Sequence, residues 1–246
     1  LHKCGPDIHT KTHNSSMAHE LLENVNGVFI MYGQSNSECT GSPRPDNFTF
    51  PTASRLRVFC NNADYVYSEP MACAQGFGSC VVADISIARN TTRDIFATAG
   101  CSGASIADLY ESRNYKGGIM DVLSKTSFLY PNTNISILFH QGEADNPTTS
   151  KTTYLKYLNA LKDAADKIHR ADWFISRATI CETDSPNNNI RNAQWSLPGT
   201  FRGPDTDVLG IDTDVRYDKC HFNTNGLEKL GQLWKRAIDE RIPCAP

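Results

Sequence analysis

Short apolar runs rich in β-branched and aromatic residues recur along the chain at residues 28–32, 56–60, 94–99, 135–140, 173–180 and 208–211. Between several of them lie longer stretches with helical spacing. In the last, Leu227, Leu230, Leu233, Trp234, Ala237 and Ile238 share one face, while Glu228, Lys229, Lys235, Arg236 and Glu240 fall elsewhere. A second helix is predicted over 151–170, where Tyr154, Leu155, Tyr157, Leu158, Leu161 and Ala165 approach helical spacing, and weaker helical patterns cover 80–89 and 118–129. Strands separated by helices imply an α/β fold built on a parallel sheet. In such a sheet with helices on both faces, functional groups gather at the carboxyl ends of the strands.

Polar and glycine-rich loops punctuate the pattern at 41–51, 100–105, 146–150, 183–189 and 204–207. Nothing in the interior reads as a linker, so the 246 residues are expected to form one domain, with 1–26 an N-terminal extension packed on it. Hydrophobic residues make up 39% and charged residues 21%, enough for one sizeable core. The net charge of −3, with no long run of either sign, offers no electrostatic footprint for nucleic acid or an anionic membrane. No apolar stretch is long enough to span a bilayer.

The chain contains 9 cysteines, and they are scattered rather than set at the short pair spacing of a zinc site. Disulfides in an oxidising, secreted or lumenal compartment are the expectation: four pairs with one thiol left over. Cys73 and Cys80, around Gln75-Gly76-Phe77-Gly78, suit a stapled loop. Sequons at Asn14, Asn47, Asn90 and Asn134 agree with that compartment.

The candidate chemistry sits where the strands end. The first apolar run delivers Gly33-Gln34-Ser35-Asn36 into a turn, where a nucleophile is expected. A serine hydroxyl is a weak nucleophile at neutral pH, so it needs a base and a third group to orient that base. Asp218 and His221, three residues apart, can supply them: one turn lets the carboxylate accept the Nδ1 proton and leaves Nε2 for the serine. An oxyanion needs fixed donors as well. The candidates are the backbone N–H groups of Ser35 and Gly103 and the side-chain amide of Gln141. No metal or organic cofactor is required by this chemistry.

These blocks resemble those of the SGNH hydrolase superfamily, in particular its branch of carbohydrate and sialate O-acetylesterases with a Gly-Gln-Ser-Asn first block. The matching segments are 33–36, Ser102-Gly103-Ala104-Ser105-Ile106, His140-Gln141-Gly142-Glu143-Ala144-Asp145, and Asp218-Lys219-Cys220-His221-Phe222 followed by Gly226 and Leu230-Gly231. The resemblance implies a three-layer α/β/α sandwich, flavodoxin-like in outline. It also implies Ser35 as nucleophile, His221 as base, Asp218 as the partner of His221, and Ser35, Gly103 and Gln141 as the oxyanion hole. Some members orient the histidine with the glutamate that matches Glu143. An acetylated polysaccharide, glycan or sialic acid is the implied substrate. Two departures, Ser37-Glu38-Cys39-Thr40-Gly41 after the first block and Ser102-Gly103 in the second, bear on acyl and sugar preference.

Other readings attach to the same residues. Gln141 and Glu143 also fit a buried polar pair that ties strand to helix. His140 reads as structural, and Asp145 as a cap or a support for the site. Cys220, beside His221, reads as a disulfide partner that pins the loop of the base. For the whole chain, the rival class is a carbohydrate-binding or receptor-recognition protein that keeps the fold without turnover. A lipase or cutinase would need an apolar lid, and none is obvious.

Overall fold

The computed structural model of the chain describes residues 18–19, 24–44, 57–60, 63–66, 78–91, 93–146 and 148–245. The central strand, β2 (Gly27–Gly33), is buried at every position. Successive side chains of a strand point to opposite faces, so such a strand needs cover on both. Val28, Ile30 and Tyr32 enter one core, and Phe29 and Met31 the other. The remaining strands are β1 (Ala18–His19), β3 (Arg57–Cys60), β4 (Ala63–Val66), β5 (Asp94–Thr98), β6 (Ile135–His140), β7 (Asp172–Arg177) and β8 (Phe201–Asp205). They form one eight-stranded sheet in the order β1-β4-β3-β5-β2-β6-β7-β8. From β3 to β8 all neighbours are parallel, whereas β4 runs antiparallel to β3 and to β1.

Helices cover both faces, as the three-layer expectation requires. On the Tyr32 side lie α2 (Ile106–Glu111), α3 (Arg113–Leu129), α4 (Lys151–Asp166) and α5 (Asn188–Gln194), which bury Leu109, Ile119, Leu123, Tyr154, Leu158, Leu161 and Ile190 against the sheet. On the Met31 side lie α1 (Val81–Arg89) and α6 (Thr224–Glu240), whose Val82, Ile85, Leu227, Leu230, Trp234 and Ile238 meet Phe96, Leu138 and Phe174. Five of these helices start on side-chain caps that satisfy otherwise orphaned N–H groups: Ser105 for α2, Ser112 for α3, Ser150 for α4, Asn187 for α5 and Asn223 for α6.

Several sequence expectations need correction. The run 208–211 is no strand: Asp207–Leu209 forms a 3₁₀ turn with Val208 exposed, and the last strand is β8 just upstream. That strand contains Gly203 and Pro204 and so reads as a loop. It lies at the sheet edge, where a residue without an N–H is tolerated. Helix α3 starts at Arg113, earlier than its apolar pattern, because Ser112 caps it there. Helices α2 and α5 were not anticipated, and the sheet gains an antiparallel margin. Of the expected extension 1–26, Ala18–His19 pair with β4, and residues 1–17 and 20–23 lie outside the described residues.

Cys80 pairs with Cys39, in place of the stapled loop expected with Cys73, and Cys181 pairs with Cys220. Cys244 is a buried thiol. Asn90 and Asn134 are exposed, while Asn14 and Asn47 lie outside the described residues. Among the described residues no helix is long and apolar enough to cross a membrane.

Candidate active site

The turn that carries Ser35 is set by the residue before it. Gly33 has φ +142°, and a Cβ there would stand 1.9 Å from the carbonyl oxygen of His140, so only glycine fits. The chain leaves β2 at that point, the N–H of Gln34 bonds the same carbonyl at 3.1 Å, and Ser35 opens a short 3₁₀ turn, Ser35–Ser37. Ser35 is buried. Its carbonyl accepts the Thr40 hydroxyl at 2.7 Å and the Glu38 N–H at 2.9 Å, which closes the turn.

The loop after β5 lies against this turn. The N–H of Cys101 bonds the Gly33 carbonyl at 2.8 Å, and the Thr98 hydroxyl bonds the Ser37 carbonyl at 2.9 Å. Two residues beyond Cys101, Gly103 is exposed with nothing within 4 Å of where a Cβ would stand, so an approaching group meets bare backbone.

Asp218 and His221 are brought together as a pair. Asp218 Oδ2 lies 2.6 Å from His221 Nδ1, while its Oδ1 accepts the backbone N–H groups of Cys220 at 2.9 Å and His221 at 2.6 Å. Burial pushes the Asp218 carboxyl up, but the His221 ring and these two N–H groups outweigh it and hold it below its ordinary value. With Asp218 on Nδ1, Nε2 is the nitrogen left for other partners.

The loop bearing this pair is strapped to the Ser35 turn. Asn36 Nδ2 donates to the Cys220 carbonyl at 3.2 Å, the Tyr217 hydroxyl to the Thr40 carbonyl at 2.8 Å, and the Ser42 N–H to the Phe222 carbonyl at 3.1 Å. Arg216 also donates to the Cys220 carbonyl, and its guanidinium lies 4.0 Å from the Phe222 ring centroid. The Cys181–Cys220 disulfide anchors the same loop from the other side, as expected for Cys220.

Glu143 is placed elsewhere. It is buried, and its Oε1 accepts from His140 Nε2 at 3.2 Å and from Asn36 Nδ2 at 3.0 Å. Burial pushes this carboxyl up, yet the charge and hydrogen bond of His140, with the amide of Asn36, bring it down to about 2. Its ion-pair partner is therefore the buried His140, and its hydrogen bond from Asn36 links it to the loop of His221, where the Arg216 charge also acts on it.

Gln141 is committed as well. Its amide Nε2 donates to Asp145 Oδ2, to the Ala104 carbonyl at 3.2 Å and to Gln34 Oε1 at 3.4 Å, while its Oε1 accepts the Tyr154 hydroxyl at 2.8 Å. An amide has two hydrogens, and three acceptors already share them. The oxyanion role expected for Gln141 would compete with these acceptors, an arrangement that also fits the alternative of a buried polar brace. Asp145 extends the brace by accepting the Ile106 N–H at 2.8 Å, which caps α2 directly after the Gly103 loop.

Nothing in the sequence marks Arg216 or Tyr217, and Asn36 stands out there only as part of a motif. Their roles rest on carbonyl acceptors, Cys220 and Thr40, that no residue pattern announces.

A family model described as "Carbohydrate esterase, sialic acid-specific acetylesterase" matches residues 25–240. No curated protein matches the chain. Among solved structures, a protein from Arabidopsis thaliana is similar at 15% identity and a TM-score of 0.64, covering 89% of this chain and 99% of its own. A protein described as a GDSL-like lipase, from Parabacteroides merdae, is similar at 15% identity and a TM-score of 0.55, covering 90% and 99%. Both likenesses bear on the fold.

Proposed function

The chain belongs to the carbohydrate esterase family of sialic acid-specific acetylesterases and is an esterase, and on that premise we propose that it removes O-acetyl groups from a carbohydrate through an acyl-enzyme on Ser35. The observation that carries this reading is the Asp218–His221 pair, 2.6 Å apart, on a loop bonded through Asn36 to the residue next to Ser35.

In the proposed cycle His221 Nε2 takes the proton of the Ser35 hydroxyl as Ser35 Oγ attacks the ester carbonyl. Asp218 stabilises the imidazolium that forms. The tetrahedral oxyanion rests on the backbone N–H groups of Ser35 and Gly103, each donor of this kind being worth about 10²–10³ in rate. His221 then returns the proton to the departing sugar hydroxyl, the Ser35 acetyl ester remains, and a water activated by the same base releases acetate. Glu143 and Gln141 touch no reacting atom in this scheme; they hold the strand ends that carry the site. The two disulfides support a secreted or lumenal setting, where such a substrate is met.

The test is product release from a panel of O-acetylated sugars, sialic acid among them. Wild type is expected to release acetate from at least one, and Ser35→Ala to lose on the order of 10⁴-fold or more in kcat while remaining folded. Substantial turnover by a folded Ser35→Ala variant would sink the assignment.

A further inference from the structure

The loop between β8 and α6 holds an exposed aromatic ring that acyl transfer does not use. Tyr217 is 51% exposed, yet it is fixed at both ends. Its ring stacks on the imidazole of His221, with centroids 5.9 Å and planes 24° apart. Its hydroxyl donates to the Thr40 carbonyl at 2.8 Å, and the Thr40 hydroxyl donates in turn to the Ser35 carbonyl at 2.7 Å. Its own N–H bonds the His221 carbonyl at 3.0 Å. Tyr217 therefore bridges the turn of the nucleophile and the loop of the base.

A surface tyrosine usually keeps its hydroxyl in water and lets its ring move. Here the hydroxyl is bound to backbone and the ring is stacked on His221, so a half-exposed side chain is held in one orientation. Burial and the neighbouring Asp218 raise the phenol further, which keeps it neutral. Among the other exposed apolar side chains, Phe128, near the end of α3, and Ile168, beyond α4, lie at the opposite end of the sheet from Ser35, while Val208, after β8, lies at the same end but has no ring to stack.

A rigid aromatic face at the rim of an ester-cleaving site suits one kind of ligand surface. A pyranose ring presents a flat patch of C–H groups on one side and hydroxyls around its edge. Stacking that patch on a ring already held in place loses little conformational freedom, so most of the contact energy remains as affinity. We propose that Tyr217 is a sugar platform, a specificity-determining residue against which the pyranose bearing the acetyl group stacks while its ester reaches Ser35. The proposal rests on the acetylesterase reading above and adds to it a preference for cyclic sugars over acyclic esters.

The experiment compares two acetate esters, a mono-O-acetylated methyl glucopyranoside and the aliphatic ethyl acetate. An aromatic acetate is avoided because its own ring can stack on Tyr217. Wild type, Tyr217→Phe and Tyr217→Ala are assayed at equal folded fraction, verified by circular dichroism. The expected result is that Tyr217→Ala raises KM for the glucopyranoside about tenfold relative to its effect on ethyl acetate, the size of one lost aromatic contact, and that Tyr217→Phe recovers most of it. A fall in kcat that is equal for both esters, with no difference in KM, overturns the platform and leaves Tyr217 as a prop for His221. Wild type that cleaves ethyl acetate but no acetylated pyranoside overturns the carbohydrate reading itself, and the platform with it.

Discussion

Two carboxylate–imidazole pairs stand within the same site, each separated by three residues, and they have opposite characters. Asp218 and His221 lie on a solvent-facing loop, with side-chain exposures of 39% and 23%. Glu143 and His140 are sealed beneath it at 1% and 0%. The exposed pair is joined at Nδ1, which leaves Nε2 outside the bond to the carboxylate. The buried pair is joined at Nε2, and the second hydrogen bond to the same carboxylate oxygen comes from Asn36, so the pair is bound into the fold. Spacing is alike; what differs is which ring nitrogen is engaged and how far the pair is exposed. A base must exchange protons in every cycle, and a brace must not.

Charge-removing substitutions separate the two pairs most sharply. Asp218→Asn is expected to lower kcat about 10²–10⁴-fold, because the imidazole loses both its tautomer control and its counter-charge, with little change in stability. Glu143→Gln breaks a buried, hydrogen-bonded pair and is expected to destabilise the fold by about 3 kcal/mol or more. In its folded fraction kcat should fall by less than about tenfold, under roughly 1.4 kcal/mol. Kinetics and urea unfolding of both variants decide the matter, and an exchange of the two phenotypes would make Glu143 the partner of the base.

Acid sharpens the same contrast on a smaller scale. The Glu143 carboxyl sits at about 2 in the folded protein against an ordinary 4.5, so its contribution to stability is complete above about pH 4.5 and is lost as pH falls through about 2. The Asp218 carboxyl is shifted in the same direction but faces solvent, where screening weakens the effect. The urea midpoint of wild type should therefore fall from about pH 4.5 toward pH 2, and this fall should be shallower in Glu143→Gln but nearly unchanged in Asp218→Asn. Equal slopes in all three proteins would remove Glu143 from the acid response.

The parts of the molecule readable from the chain are those governed by local pattern. The apolar runs that became β2, β5, β6 and β7 had to be covered on both faces, and the face of α6 bearing Leu227, Leu230 and Trp234 repeats at helical spacing. The Asp218–His221 pair is also local, since one turn joins the two residues. Contacts across the chain were not readable. The sequence leaves both Asp218 and Glu143 open as the partner of His221, and only in the fold does Asp218 meet His221 while His140 and Asn36 meet Glu143. Gln141 matched a donor by residue type, but its acceptors come from Gln34, Ala104 and Asp145, and only packing brings those together. Strand β8 was hidden by Gly203 and Pro204, and 208–211 was mistaken for a strand because an apolar run says nothing of whether a neighbour exists to pair with it. The partner of Cys80 was misassigned for the same reason: nearness in sequence to Cys73 counted for less than nearness in space to Cys39.

In the proposed mechanism Ser35 is the acylated nucleophile and His221 activates it. Treating the protein with an organophosphonate ester that traps serine nucleophiles, followed by peptide mapping by mass spectrometry, tests it most directly. One phosphonylated residue is expected, Ser35, with labelling lost in Ser35→Ala and slowed by orders of magnitude in His221→Ala. Stoichiometric labelling of another residue, or undiminished labelling of Ser35 without His221, would contradict it.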